Sequence, residues 1–189
     1  SKRVLLTGAS GFIGRHCLDH IIAKTDWFVV CLDSFRHKGT YSRLSELDMP
    51  ADRCSVLRHD LSVPIDSVLE RKITDGCDLD VVINMASDSA VERSVSDPAS
   101  CWRNNCELAC SMLEFARRVN PGIFFQISTD EVYGSLSFED KPKVESDIFN
   151  PSSLYSASKA SAEMICMAMF HTFEMPIVIT RSSNNYGTH

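Results

Sequence analysis

"VLLTGASGFIG", Val4–Gly14, sets the reading of the fold. Three apolar residues suited to a buried strand run into Gly8, Gly11 and Gly14, and the residues from Phe12 onward fall at helical spacing. The GxxGxxG spacing in a strand–turn–helix context has a physical logic. The first glycine permits a tight turn, the second lets backbone approach a pyrophosphate, and the third lets helix pack closely on strand. The N–H groups of Phe12, Ile13 and their neighbours at the helix start are then offered to phosphate oxygens. The next apolar run ends at Asp33, in "VVCLDS", where an acid can accept hydrogen bonds from a ribose diol. Such an acid repels a 2′-phosphate, which favours NAD over NADP, although the nearby Arg36 weakens the discrimination.

Outward from this motif, apolar runs recur at Trp27–Leu32, Ser55–Leu57, Leu79–Ile83, Ile123–Ile127 and Ile177–Thr180. Helical patterns lie between them, over Phe12–Lys24, Tyr41–Leu47, Pro64–Thr74, Asp97–Val119 and Ser152–Phe173. Continuous apolar strands alternating with helices predict a parallel sheet covered on both faces: an α/β Rossmann, doubly wound fold. The 189 residues form one domain, 1–189, with a core of ordinary composition: 44% hydrophobic and 23% charged. The longest connection, Thr129–Pro151, leaves the carboxyl end of its strand, where ligands of such sheets bind.

A net charge of −6 argues against nucleic acid or a membrane surface as the main partner. No apolar run approaches the roughly 20 residues that span a bilayer, and the short N-terminal run is no signal peptide. The eight cysteines form no CxxC pair. Cys106/Cys110 and His16/His20 stand one helical turn apart without a third ligand, so no metal site is expected, and the chain reads as a reduced cytoplasmic protein.

Two further stretches carry chemistry. "YSASK" puts Tyr155 and Lys159 on one helix face, where an ammonium can favour a phenolate and make a base for a hydroxyl. "ISTDEVYG" places Asp130 beside Glu131 at a strand end. Asp60, in "RHDLS", is a candidate for the adenine amino group or, equally, a turn acid.

Together "TGASGFIG", Asp33, Ser128-Thr129 and "YSASK" resemble the extended short-chain dehydrogenase/reductases. "STDEVYG", "NPSSLYSASKASAE" and "TRSSNNYG" resemble, more narrowly, the nucleotide-sugar 4,6-dehydratases, among them those acting on dTDP-glucose. The resemblance runs from Arg3 to His189. It implies bound NAD and a nucleotide-sugar substrate. Tyr155 takes the C4 hydroxyl proton as hydride leaves C4 for NAD⁺. Glu131 removes the acidified C5 proton, Asp130 protonates the departing C6 hydroxyl, and hydride returns to C6. Thr129 bonds the C4 oxygen, and Lys159 binds the nicotinamide ribose and tunes Tyr155. Gly8, Gly11, Phe12, Ile13, Gly14, Asp33, Asp60, Leu61, Ala86 and Ser87 are the remaining cofactor positions. Ser89, Arg93, Asn184 and Asn185 are the remaining substrate positions.

The resemblance also implies a homodimer through the helices at 97–119 and 152–173, with Met164, Met167, Met169 and Phe170 suited to the interface. The sequence departs from the family pattern at Ala90, at Ser87 and beside Asn105, none of them a proposed catalytic group. It stops two residues after "NNYG", so most of the family's C-terminal substrate lobe is expected to be missing. The alternatives are a nucleotide-sugar 4-epimerase, which needs no acid at Asp130, and a non-catalytic NAD-binding module.

Overall fold

The computed structural model describes residues 1–36, 41–89 and 96–188. Strand β1 (Arg3–Thr7) leads into α1 (Phe12–Lys24), then β2 (Phe28–Asp33), α2 (Tyr41–Ser45), β3 (Cys54–Arg58), α3 (Ser67–Thr74), β4 (Val81–Asn84), α4 (Pro98–Val119), β5 (Ile123–Thr129), a 3₁₀ turn (Asp130–Tyr133), α5 (Leu154–Phe173) and β6 (Ile177–Ser182). The six strands form one sheet in the order β3-β2-β1-β4-β5-β6. Every neighbouring pair is parallel. The doubly wound fold read from the sequence is the one observed. The strand order reverses between β1 and β4, which opens a crevice at their carboxyl ends.

Period-two alternation explains why the strands are apolar throughout. Leu5, Val30, Leu32, Val82 and Phe124 pack on one face with Ile73 of α3, Met112 and Phe115 of α4, and Cys166 and Met169 of α5. Leu6, Val29 and Cys31 pack on the other with Leu18 and Ile21 of α1 and with Leu44 of α2.

Local capping corrects several expected boundaries. Helix α3 starts at Ser67 rather than Pro64, because the Asp66 carboxylate accepts the N–H groups of Val68 and Leu69. Helix α5 starts at Leu154, with Ser153 and Ser156 forming a reciprocal capping box. Asp97 caps α4. The last carbonyls of α1 are met from a distance: Arg53 donates to the carbonyls of Ile22 (3.1 Å) and Thr25 (2.6 Å). The eight cysteines are free thiols. Among the described residues no helix is long and apolar enough to cross a membrane.

Candidate active site

A cavity of about 430 Å³ opens at the crevice between β1 and β4 and extends across the carboxyl ends of β2 and β5. The glycine loop forms one wall. Gly8 has φ +70°, and a Cβ there would come within 2.9 Å of the Ala86 backbone. A Cβ at Gly14 would fall 2.0 Å from the Gly8 carbonyl oxygen. Both glycines are therefore required by close backbone approach. Asp33 fixes the loop: its carboxylate accepts the N–H of Ser10 (3.0 Å) and that of Phe35 (2.9 Å).

Asp60 turns out to be both a cavity residue and a turn acid. Its carboxylate accepts the N–H and hydroxyl of Ser62 and pairs with Arg36 at 2.7 Å. Partial burial pushes its pKa up, but the Ser62 bonds and the Arg36 charge outweigh that and hold it low. Arg36 also donates to Asn104 of α4 (3.3 Å), so the cation that weakened the NAD-versus-NADP argument is engaged within the protein.

A buried polar ladder runs across β1, β4 and β5. Thr7 donates to Asn84 (2.9 Å) and accepts the N–H groups of Met85 and Ala86, both at 3.1 Å. Asn84 donates to Gln126 (2.8 Å). The ladder fixes the start of the loop that brings Ala86, Ser87 and Ser89 to the cavity. Asn105, buried in α4, exchanges hydrogen bonds with the backbone of Asp88 and donates to Ser158, which ties that loop to α5.

On the far wall stand Thr129, Glu131, Tyr155 and Lys159. Thr129 is buried, and its hydroxyl accepts the N–H of Glu131 at 3.3 Å. Lys159 donates to the Ile127 carbonyl at 2.6 Å. Burial pushes the lysine down to about 8, with Glu163 pulling the other way. Burial first, and then the Glu131 charge, push the Tyr155 phenol up to about 12. The two acids are also set apart by position. Glu131 is half-buried and lines the cavity, whereas the 3₁₀ turn leaves Asp130 exposed and outside the lining.

Gly8, Gly11, Phe12, Ile13, Gly14, Asp33, Asp60, Leu61, Ala86, Ser87, Ser89, Asn184 and Asn185 all line the same cavity. Arg93 and Ala90 lie outside the described residues. Ser10, Asn104, Ser128 and Ser182 line the cavity too, although sequence reading did not single them out as site residues. Ser10 sat inside the glycine motif and Ser128 inside the strand-end motif, so position alone could have flagged both.

The sequence model described as GDP-mannose 4,6 dehydratase matches residues 5–189. The chain belongs to that family. The dTDP-glucose 4,6-dehydratase of Haemophilus influenzae is 34% identical over 202 residues, covering 98% of this chain and 56% of the relative. The DesIV dTDP-glucose 4,6-dehydratase of Streptomyces venezuelae, solved with NAD bound, superposes with a TM-score of 0.88 at 30% identity, covering 98% of this chain and 56% of that one. A UDP-glucuronic acid 4-epimerase from Bacillus cereus, solved with UDP-glucuronic acid and NAD, gives a TM-score of 0.81 at 28% identity, covering 95% and 55%. This member of the 4,6 dehydratase family thus spans about half the length of the relatives it matches.

Proposed function

We propose that the cavity binds NAD and that the protein removes water across C5–C6 of a nucleotide-linked hexose, dTDP-glucose or a close analogue, to give a 4-keto-6-deoxy sugar. The observation that carries this reading is that Tyr155, Lys159 and Glu131 line the same cavity as the glycine loop and Asp33. The residues fit the cofactor. The walls at Gly8 and Gly14 have no room for a Cβ, so only backbone faces a pyrophosphate there. Asp33 is held rigidly where a ribose diol needs an acceptor, and Arg36 is already paired with Asp60.

NAD, when bound, supplies a reversible hydride acceptor, so the sugar can be oxidised at C4 and reduced at C6 with no net redox change. The protein's own groups move the protons. Tyr155 takes the C4 hydroxyl proton, and Thr129 holds the C4 oxygen. Glu131 removes the C5 proton, which the ketone has made acidic, Asp130 gives a proton to the leaving C6 hydroxyl, and Glu131 returns its proton to C5 as hydride reaches C6. Of the two carboxyl groups, Glu131 lines the cavity and Asp130 is exposed beside it on the 3₁₀ turn. Ser89, Arg93, Asn184 and Asn185 are assigned to the sugar nucleotide. The reading includes one NAD-binding domain over 1–189, a cytoplasmic location and a homodimer through α4 and α5. Met164, Met167 and Phe170 of α5 are exposed in support of that interface.

The test is to incubate the protein with NAD and dTDP-glucose and follow the sugar by NMR. A 4-keto-6-deoxy product supports the reading, and an epimerised hexose overturns it. The 4-epimerase reading is favoured by one feature, the position of Asp130 outside the cavity lining. NAD binding with no change to any nucleotide sugar would instead leave a cofactor-binding module.

A further inference from the structure

Among the described residues, the buried polar side chains of β1, β4 and β5 are matched, with one exception. Thr7, Asn84 and Gln126 satisfy one another, and Gln126 donates onward to the Ile127 carbonyl at 3.1 Å. Lys159 donates to that same carbonyl. The next residue, Ser128, breaks the pattern. It is 5% exposed, and its Oγ is the one buried side-chain nitrogen or oxygen among the described residues without a hydrogen-bond partner. A buried hydroxyl left unmatched is costly, and such groups in folded proteins call for a specific reason.

Its placement points to a ligand. Ser128 lines the cavity between Ile127, whose carbonyl holds Lys159, and Thr129. Strand alternation puts it on the same sheet face as Gln126. That face is the one covered by α5, which carries Tyr155 and Lys159. Within the cavity it therefore belongs to the β5 end, separated by β1 and β4 from Asp33 at the end of β2. A dinucleotide whose adenosine half sits at Asp33 and whose phosphates lie on the glycine loop brings its second nucleoside to the β5 end.

We propose that the Ser128 hydroxyl is a binding contact for the nicotinamide–ribose half of NAD, and that it gains its hydrogen bond only when the cofactor is in place. This rests on the NAD reading above. The hydroxyl can donate or accept, so it suits either a ribose hydroxyl or a carboxamide.

Two variants, Ser128→Ala and Ser128→Cys, would be titrated calorimetrically with NAD and with ADP and melted without ligand. The expected result is a 3- to 10-fold weaker NAD affinity in both, about the worth of one net hydrogen bond. ADP affinity should stay unchanged, because ADP lacks the second nucleoside. The unliganded melting temperature should be unchanged or higher, since no internal bond is lost. NAD affinity equal to wild type would overturn the proposal, as would an equal loss for ADP or a clear drop in unliganded stability. Failure of the NAD reading itself looks different: the unaltered protein would then bind no NAD.

Discussion

Lys159 brings an ammonium into a site where burial disfavours charge, and that has a consequence for stability against pH. Its folded pKa, about 8, lies below the ordinary lysine value of 10.5. Between those values the unfolded chain holds a proton that the folded chain has lost, so this residue's contribution to stability rises with pH through the window. Cys166 acts oppositely above pH 9, because burial first and Glu163 next push its thiol up to about 12. The lysine's share is isolated by comparison with Lys159→Met: urea midpoints at pH 7.5 and 9.5 should show wild type gaining on the variant as pH rises. At the same scale, Glu131→Gln should lower dehydration by roughly 10²- to 10⁴-fold, the range for loss of a general base, with NAD binding retained in calorimetry. Gly14→Ala should abolish NAD binding and lower the melting temperature, since the methyl would meet the Gly8 carbonyl oxygen at 2.0 Å. The glycines were legible in the sequence because their spacing encodes a purely local turn. The pairing of Arg36 with Asp60 was not, because the partners are far apart in sequence and meet only through the β2–β3 neighbourhood.

Among the elements, β6 and α5 share apolar packing and are also joined by one arginine. Arg181 of β6 donates to the fully buried Glu163 carboxylate, at 2.7 Å for its shortest bond, and also to the Tyr133 hydroxyl and the Glu145 carbonyl. Its guanidinium lies 4.8 Å from the Phe149 ring centroid. It thereby ties the helix bearing Tyr155 to the turn bearing Glu131 and to the long connection after it. Removing one partner of such a buried pair leaves an uncompensated charge and costs roughly 3–5 kcal/mol. Arg181→Met should therefore shift the urea midpoint strongly downward, and Glu163→Gln/Arg181→Met together should lose less. The periodicity of the apolar residues gave away each of these elements. Their ends were legible only where a cap was recognisable. Pro64 looked like a helix start until the Asp66 carboxylate took up the free N–H groups further along.

For the molecule as a whole, the exposed face of α5 is where association is expected. Met164 is 63% and Phe170 51% exposed, whereas Met169, also expected at an interface, is buried against the sheet. Met164→Glu/Phe170→Glu should convert a dimer to monomer in sedimentation velocity, and a monomeric wild type would remove the proposal. The sheet's composition and alternation made the fold readable in outline. Arg93 was not placed by local periodicity, and it lies outside the described residues. The strand order also bears on how the chain folds. Its centre is the seam between β1 and β4, where Thr7 and Asn84 meet from 77 residues apart in sequence. β1 must wait for β4, which is made later, before its second edge is covered. All-parallel pairing of this kind closes long loops before any contact rewards them, so folding should be slow. Until β4 arrives, an apolar strand stays open to wrong partners. Refolding yield should accordingly fall as protein concentration rises, while the native protein, once formed, shows no such dependence.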